Sequence, residues 1–196
     1  MGHVLPDQNN LIAFSLIGQT LFVRFIAPST RNPISIKVVE LLEKAVAFCE
    51  PNGNIREVVF TGSEKVFASG ADLREISALT AEAATRFAIR GQALMDQIAR
   101  LRAKTVAAIN GYCFGGGLDL ALACDRRVAS SDATFCHPGA GLGIITGWGG
   151  TQRLPRLVGE AMACEIFFTA EPISAARALQ IGLIDAIDGD YLTKLQ

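Results

Sequence analysis

The stretch Asn110-Gly111-Tyr112-Cys113-Phe114-Gly115-Gly116-Gly117-Leu118-Asp119-Leu120 constrains the fold more than any other. A short apolar run, Val106 to Ile109, leads into it and reads as a buried strand. Three consecutive glycines follow, then an apolar run ending at Ala123 that reads as a helix. Glycines ahead of a helix let backbone N–H groups approach a ligand closely, and the helix N-terminus adds partial positive charge. That arrangement suits an oxygen on which negative charge develops. Asp119 lies three residues beyond the middle glycine, within one helical turn.

A second glycine-bearing corner lies upstream, at Gly62-Ser63-Glu64-Lys65-Val66-Phe67-Ala68-Ser69-Gly70-Ala71-Asp72-Leu73. It too follows an apolar strand pattern, Val58 to Phe60, and precedes a helical one. Further matching motifs are Ala123-Cys124-Asp125, Gly149-Gly150-Thr151-Gln152-Arg153-Leu154, Ile173-Ser174-Ala175 and Gly182-Leu183-Ile184. In this order, over most of the chain, they resemble the crotonase family, also called the enoyl-CoA hydratase/isomerase family.

The 196 residues are half apolar and only 19% charged, enough for a large core in one α/β domain spanning 1–196. Formal net charge is −1, and no basic block or aromatic-interleaved stripe suggests nucleic acid. No apolar run reaches the length of a membrane span and no secretory leader is visible, so a cytoplasmic protein without a membrane partner is expected. The cysteines Cys49, Cys113, Cys124, Cys136 and Cys164 are odd in number and form no CxxC pair. They read as buried free thiols. The two histidines are far apart, and no cluster has metal-ligand spacing, so no metal is expected.

Leu11–Ile17 and Leu21–Ile26 read as a hairpin around Gly18-Gln19-Thr20. Ile34–Phe48 carries helical spacing with Ser35 near its start, and Leu79–Leu101 is a long amphipathic helix capped by Thr80. Strands are expected over Glu57–Thr61, Thr105–Ile109, Arg127–Ser130, Thr134–Cys136 and Ile184–Ile187. Later helices fit the run toward Leu157, Glu160–Phe168 and Ser174–Ile181. A doubly wound sheet accounts for this pattern almost as well as any other. The resemblance points instead to a crotonase-like spiral of ββα turns, with the family's usual C-terminal helical segment short or missing here.

The resemblance implies an acyl-CoA thioester as substrate, no separate cofactor, and a homo-oligomer, trimer or hexamer. It implies an enolate whose oxygen is held by two backbone N–H groups, which fall at Ala71 and Gly116. Ala68, Ser69, Gly70, Ala71, Asp72, Leu73, Arg74, Gly116 and Gly139 match the substrate-binding stretches. Asp72 and Arg74 also fit a helix cap and a solvated side chain.

The acid/base positions depart from the hydratase pattern. Hydratases place one glutamate three residues after the middle glycine and another twenty residues later, and both handle one water. Here those positions are Asp119 and Gly139. Asp119 is one methylene shorter, a reach deficit of roughly 1.5 Å, and a misplacement of about 1 Å costs around a hundredfold in rate. An aspartate at the first position resembles the dienoyl-CoA isomerases of the family, whose remaining carboxylates fall at Gly139 and Gly147 here. The resemblance therefore implies an enzyme of enoyl-CoA hydratase/isomerase type with Asp119 as the acid/base group and two-carboxylate hydration disfavoured; an isomerase or decarboxylase in place of a hydratase is the alternative within the family. His137, two residues before Gly139, would reach the vacated space if both lay on one strand, with a ring suited to proton transfer near neutrality. Trp148 fits either the core or the acyl pocket. The alternatives are a non-catalytic acyl-CoA-binding or scaffold member of the fold, and a nucleotide-binding α/β domain, whose phosphate motifs the sequence lacks.

Overall fold

The computed structural model describes residues 3–5, 10–50 and 53–189. Seven strands form one sheet in the order β1 (His3–Leu5), β2 (Ile12–Ile17), β3 (Thr20–Phe25), β5 (Glu57–Thr61), β8 (Lys104–Ile109), β10 (Arg126–Ala129) and β13 (Ala186–Ile187). A four-stranded sheet runs β12 (Ile173–Ser174), β11 (Thr134–Cys136), β9 (Tyr112–Phe114) and β6 (Val66–Ala68). The pair β4 (Pro33–Ile34) and β7 (Gly70–Ala71) stands apart. The helices are α1 (Ile36–Cys49), α2 (Leu73–Ser77), α3 (Ala81–Ala99), α4 (Gly116–Ala123), α5 (Gly139–Leu142), α6 (Gly150–Val158), α7 (Glu160–Thr169) and α8 (Ala175–Gln180).

Strands alternate between the two larger sheets. After the β2–β3 hairpin, β5, β8 and β10 enter the large sheet in parallel, and each continues into β6, β9 or β11 of the small one. Each pass is a β-β unit, and helices follow all three: α2 and α3 after the first, α4 after the second and α5 after the third. A doubly wound sheet would keep its parallel strands in one layer, so the alternation decides for the spiral.

The caps form where the sequence places them. Ser35 accepts from the Val38 amide at the start of α1, and Thr80 accepts from the Ala83 amide at the start of α3. Val38, Leu41, Leu42, Ala45 and Val46 turn inward from α1, and Leu94, Met95 and Ile98 from α3. They join one apolar core with Phe25, Phe60, Phe67 and Phe135, all fully buried. The sequence Pro51-Asn52-Gly53-Asn54 reads as a turn; Gly53 and Asn54 form one, and Pro51 and Asn52 lie outside the described residues. Cys49, Cys113, Cys124 and Cys136 are buried free thiols, but Cys164 is exposed, because it sits on the outer face of α7. No helix among the described residues is long and apolar enough to cross a membrane.

The step between sheets is tied by polar side chains. At the end of β8, Asn110 accepts from the Gly62 amide at 2.9 Å and donates to the Glu64 carbonyl at 2.8 Å. A Cβ on Gly111 would lie 1.8 Å from the Lys65 carbonyl oxygen, so the two corners cross backbone against backbone. Thr105 and Asp125 tie the start of β8 to the end of α4, with the Thr105 amide donating to Asp125 Oδ2 at 2.8 Å. Arg153 at the start of α6 is pinned to Asp96 of α3 at 2.5 Å.

Asn110→Ala should leave the Gly62 amide and the Glu64 carbonyl unpaired. The Gly62 amide is buried, and such an orphan costs about 1–3 kcal/mol, which is the loss that urea unfolding should show. An unchanged midpoint would remove Asn110 as the tie between the two corners.

Candidate active site

The two glycine-bearing corners meet at β7 and the start of α4. A Cβ on Gly70 would stand 2.9 Å from the Gly116 nitrogen, and a Cβ on Gly116 would stand 3.4 Å from the Ala71 nitrogen. Gly70 takes φ +94°, in the region that favours glycine. Only residues without side chains let these chain segments approach so closely. The Trp148 ring backs the same corner, with ring carbons 2.8 and 2.9 Å from the place of a Gly116 Cβ. Trp148 is buried against Phe87 at a ring-centroid distance of 5.3 Å. It therefore belongs to both the core and the cavity wall.

A cavity of about 250 Å³ opens in front of these residues. Ser69, Gly70, Ala71, Gly116, Asp119 and His137 all line it, as do Leu73, Gly139 and Trp148. Three residues expected at the substrate lie outside this lining. Ala68 is fully buried and sits beneath Gly117. Asp72 uses its carboxylate to cap α2, accepting from the Arg74 amide at 2.9 Å. Arg74 is solvent-exposed beside it, with its Nε 3.5 Å from Asp72.

Asp119 is 1% exposed. Burial drives its carboxyl up from the ordinary 3.8 to about 6. The Thr146 hydroxyl, the amides of Trp148 and Gly150, and Arg153 oppose that rise. The carboxylate stands in the first turn of α4 and against the start of α6, so two helix N-termini favour its charge. Gly150 makes room for it, since a Cβ there would lie 2.2 Å from Asp119 Oδ1.

His137 reaches the site by a different route from the one the sequence suggests. Strand β11 ends at Cys136, and Pro138 turns the chain into α5, which begins at Gly139. The imidazole is 3% exposed, packs on Phe167, and places Nε2 3.7 Å from Asp119 Oδ1. That distance is beyond a hydrogen bond, and neither atom has another hydrogen-bond partner among the described residues. Burial pushes the ring down from 6.5 to about 4. At neutral pH the pair is a carboxylate beside a neutral imidazole rather than an ion pair.

Gly139 does more than lack a carboxylate. A Cβ on it would meet the Ile144 carbonyl oxygen at 2.5 Å, so the loop after α5 fills the space where a side chain would begin. That loop also brings Thr146, whose hydroxyl donates to Asp119 Oδ2. Sequence reasoning missed Thr146, because a threonine in a glycine-rich turn carries no distinguishing pattern.

The geometry fits what comparison with known proteins finds. The family model for enoyl-CoA hydratase/isomerase matches residues 18–193. The chain belongs to the enoyl-CoA hydratase/isomerase family. The short-chain-enoyl-CoA hydratase of Clostridium acetobutylicum is 37% identical over 92% of this chain and 69% of its own length. The crotonyl-CoA hydratase of Syntrophomonas wolfei is 38% identical over 82% of this chain and 62% of its own. The chain thus spans about two thirds of the length of the curated relatives it matches. Among solved structures, the enoyl-CoA hydratase from Bacillus anthracis superposes with a TM-score of 0.89 at 32% identity, covering 94% of this chain and 72% of that one. Pseudomonas aeruginosa DspI superposes with a TM-score of 0.90 at 31% identity, covering 97% and 78%.

Burial leaves opposite pH signatures on the two cavity groups. Asp119 has a higher pKa folded than unfolded, so the folded state binds more protons between about 6 and 3.8 and gains stability as pH falls. His137 has a lower pKa folded than unfolded, so stability is lost as pH falls from 6.5 toward about 4. The two contributions oppose each other in the native protein. Between pH 7 and 4.5, His137→Gln should lose less stability than wild type and Asp119→Asn should lose more. Each difference is about 2 kcal/mol. Urea unfolding across that range measures it, and two variants that track wild type would contradict the assignment.

Proposed function

We propose that this chain acts on an acyl-CoA thioester through an enolate. The amides of Ala71 and Gly116 hold the enolate oxygen, and Asp119 moves the proton. The observation that carries the reading is the meeting of Gly70–Ala71 and Gly115–Gly116 at one cavity that also holds a buried carboxylate. Main-chain donors fixed by close backbone packing need no reorganisation as charge develops, and one such donor is worth about 2.7–4 kcal/mol. Asp119, ionising near pH 6, takes a proton at neutrality and returns it readily. His137, neutral and facing Asp119 Oδ1, is the second group for that proton.

Within the family's range, proton relocation fits this site better than two-carboxylate hydration. The second carboxylate position is Gly139, and the Ile144 carbonyl closes on it. One carboxylate suffices to take a proton from the carbon beside the thioester and return it elsewhere. The hydratase names of the relatives support the thioester substrate, not the addition of water by this chain.

Acyl-CoAs and crotonyl-CoA in D₂O provide the test, with NMR following α-proton exchange and hydration together. Wild type should exchange the α-proton, with exchange outpacing hydration. Asp119→Asn should slow exchange by about 10²–10⁴-fold. CoA binding with no exchange on any thioester would support a non-catalytic binding protein instead.

A further inference from the structure

Asp119 Oδ2 receives one side-chain hydrogen bond among the described residues, and the donor is the Thr146 hydroxyl. Thr146 lines the same cavity as Asp119, His137 and the two amide-bearing corners. The loop that carries it is fixed on both sides. The Ile144 amide donates to the Gly139 carbonyl at 3.0 Å, and Gln92 of α3 donates to the Gly147 carbonyl at 2.8 Å. Buried Trp148 follows directly. The hydroxyl is therefore delivered to the carboxylate by an anchored turn.

The two carboxylate oxygens consequently differ. Oδ2 is occupied by Thr146, while Oδ1 is buried, has no side-chain hydrogen-bond partner among the described residues, and faces His137 Nε2 at 3.7 Å. We infer that Thr146 is the positioning residue for Asp119: it occupies one oxygen, holds the group in its charged form, and leaves Oδ1 to exchange the proton. The inference rests on Asp119 being the base of the proposed reaction. In that step the α-carbon–hydrogen bond breaks, its electron pair forms the carbon–carbon double bond of the enolate, the carbonyl π pair moves onto the thioester oxygen, and the proton goes to Oδ1. Return of the proton to carbon restores the carboxylate.

Other titratable groups face Asp119. His137 comes from the turn after β11, Arg153 from α6 and the Cys113 thiol from β9. Arg153 is itself engaged by Asp96 of α3. The amides of Trp148 and Gly150 also support the carboxylate, so the Thr146 hydroxyl is its one side-chain hydrogen bond among the described residues rather than its whole support.

The α-proton exchange rate should rise with pH through the Asp119 ionisation. Thr146→Val keeps the side-chain shape and removes the hydroxyl. It should move that limb upward by about one pH unit and slow exchange on its acid side about tenfold. Thr146→Ser should return the limb to the wild-type position, an outcome a packing role does not produce. If the valine variant fails to fold, Thr146→Ala is read against serine in the same way. A wild-type limb in the hydroxyl-free variant, or a serine variant no better than it, overturns the inference. Asp119→Asn separates the two levels. Full exchange in that variant removes the base and with it the positioning role, whereas its loss beside an unshifted Thr146→Val limb removes the positioning role alone.

Discussion

Backbone packed against backbone is the constraint on which the rest of this structure depends. A methyl group on Gly70 would press on the Gly116 amide, and one on Gly116 would press on the Trp148 ring. The approach is held from behind by Asn110, which bridges the upstream corner to the end of β8, and by the Trp148 ring. Main-chain donors set in this way keep their direction when side chains move. That is what a site needs if it is to stabilise charge that exists only briefly.

The carboxylate in front of that corner is a balance of opposed effects. Burial raises the Asp119 carboxyl, whereas the Thr146 hydroxyl, the amides of Trp148 and Gly150 and the charge of Arg153 oppose the rise and hold it at about 6. The neighbouring imidazole is held neutral by the same burial. A carboxylate beside a neutral imidazole forms a pair able to accept one proton. The second glutamate of the hydratase pattern has no counterpart, because the loop from Gly143 to Gly147 closes on Gly139 and brings Thr146 to Asp119 instead.

The long elements were legible in the sequence because their signals are long. Nineteen residues of α3 and fourteen of α1 carry enough periodic apolar positions, with Thr80 and Ser35 as caps, to fix type and start. The second strands of each turn, Val66–Ala68 and Tyr112–Phe114, are three residues each and too short to show alternation. Helix α5, built from Gly-Ala-Gly-Leu, has no helical signature, and its presence brings His137 to Asp119 by a turn rather than along a strand. Ala71, Gly116 and Asp119 were legible as a set through motif order. Asp72 and Arg74, which share a motif with Ala71, face a helix cap and solvent instead, since a motif fixes the chain's path better than each side chain's direction. Thr146 was illegible because its role arises from a contact across twenty-seven positions in sequence.

Isotope-edited infrared spectroscopy of the thioester carbonyl, with a non-reacting acyl-CoA bound to the protein, addresses the central claim most directly. Two amides converging on the oxygen weaken the carbonyl bond, so the bound carbonyl should absorb at lower frequency than the same thioester in water. A bound carbonyl at or above its aqueous frequency would mean that no donor pair meets it, and the enolate account of this site would be contradicted.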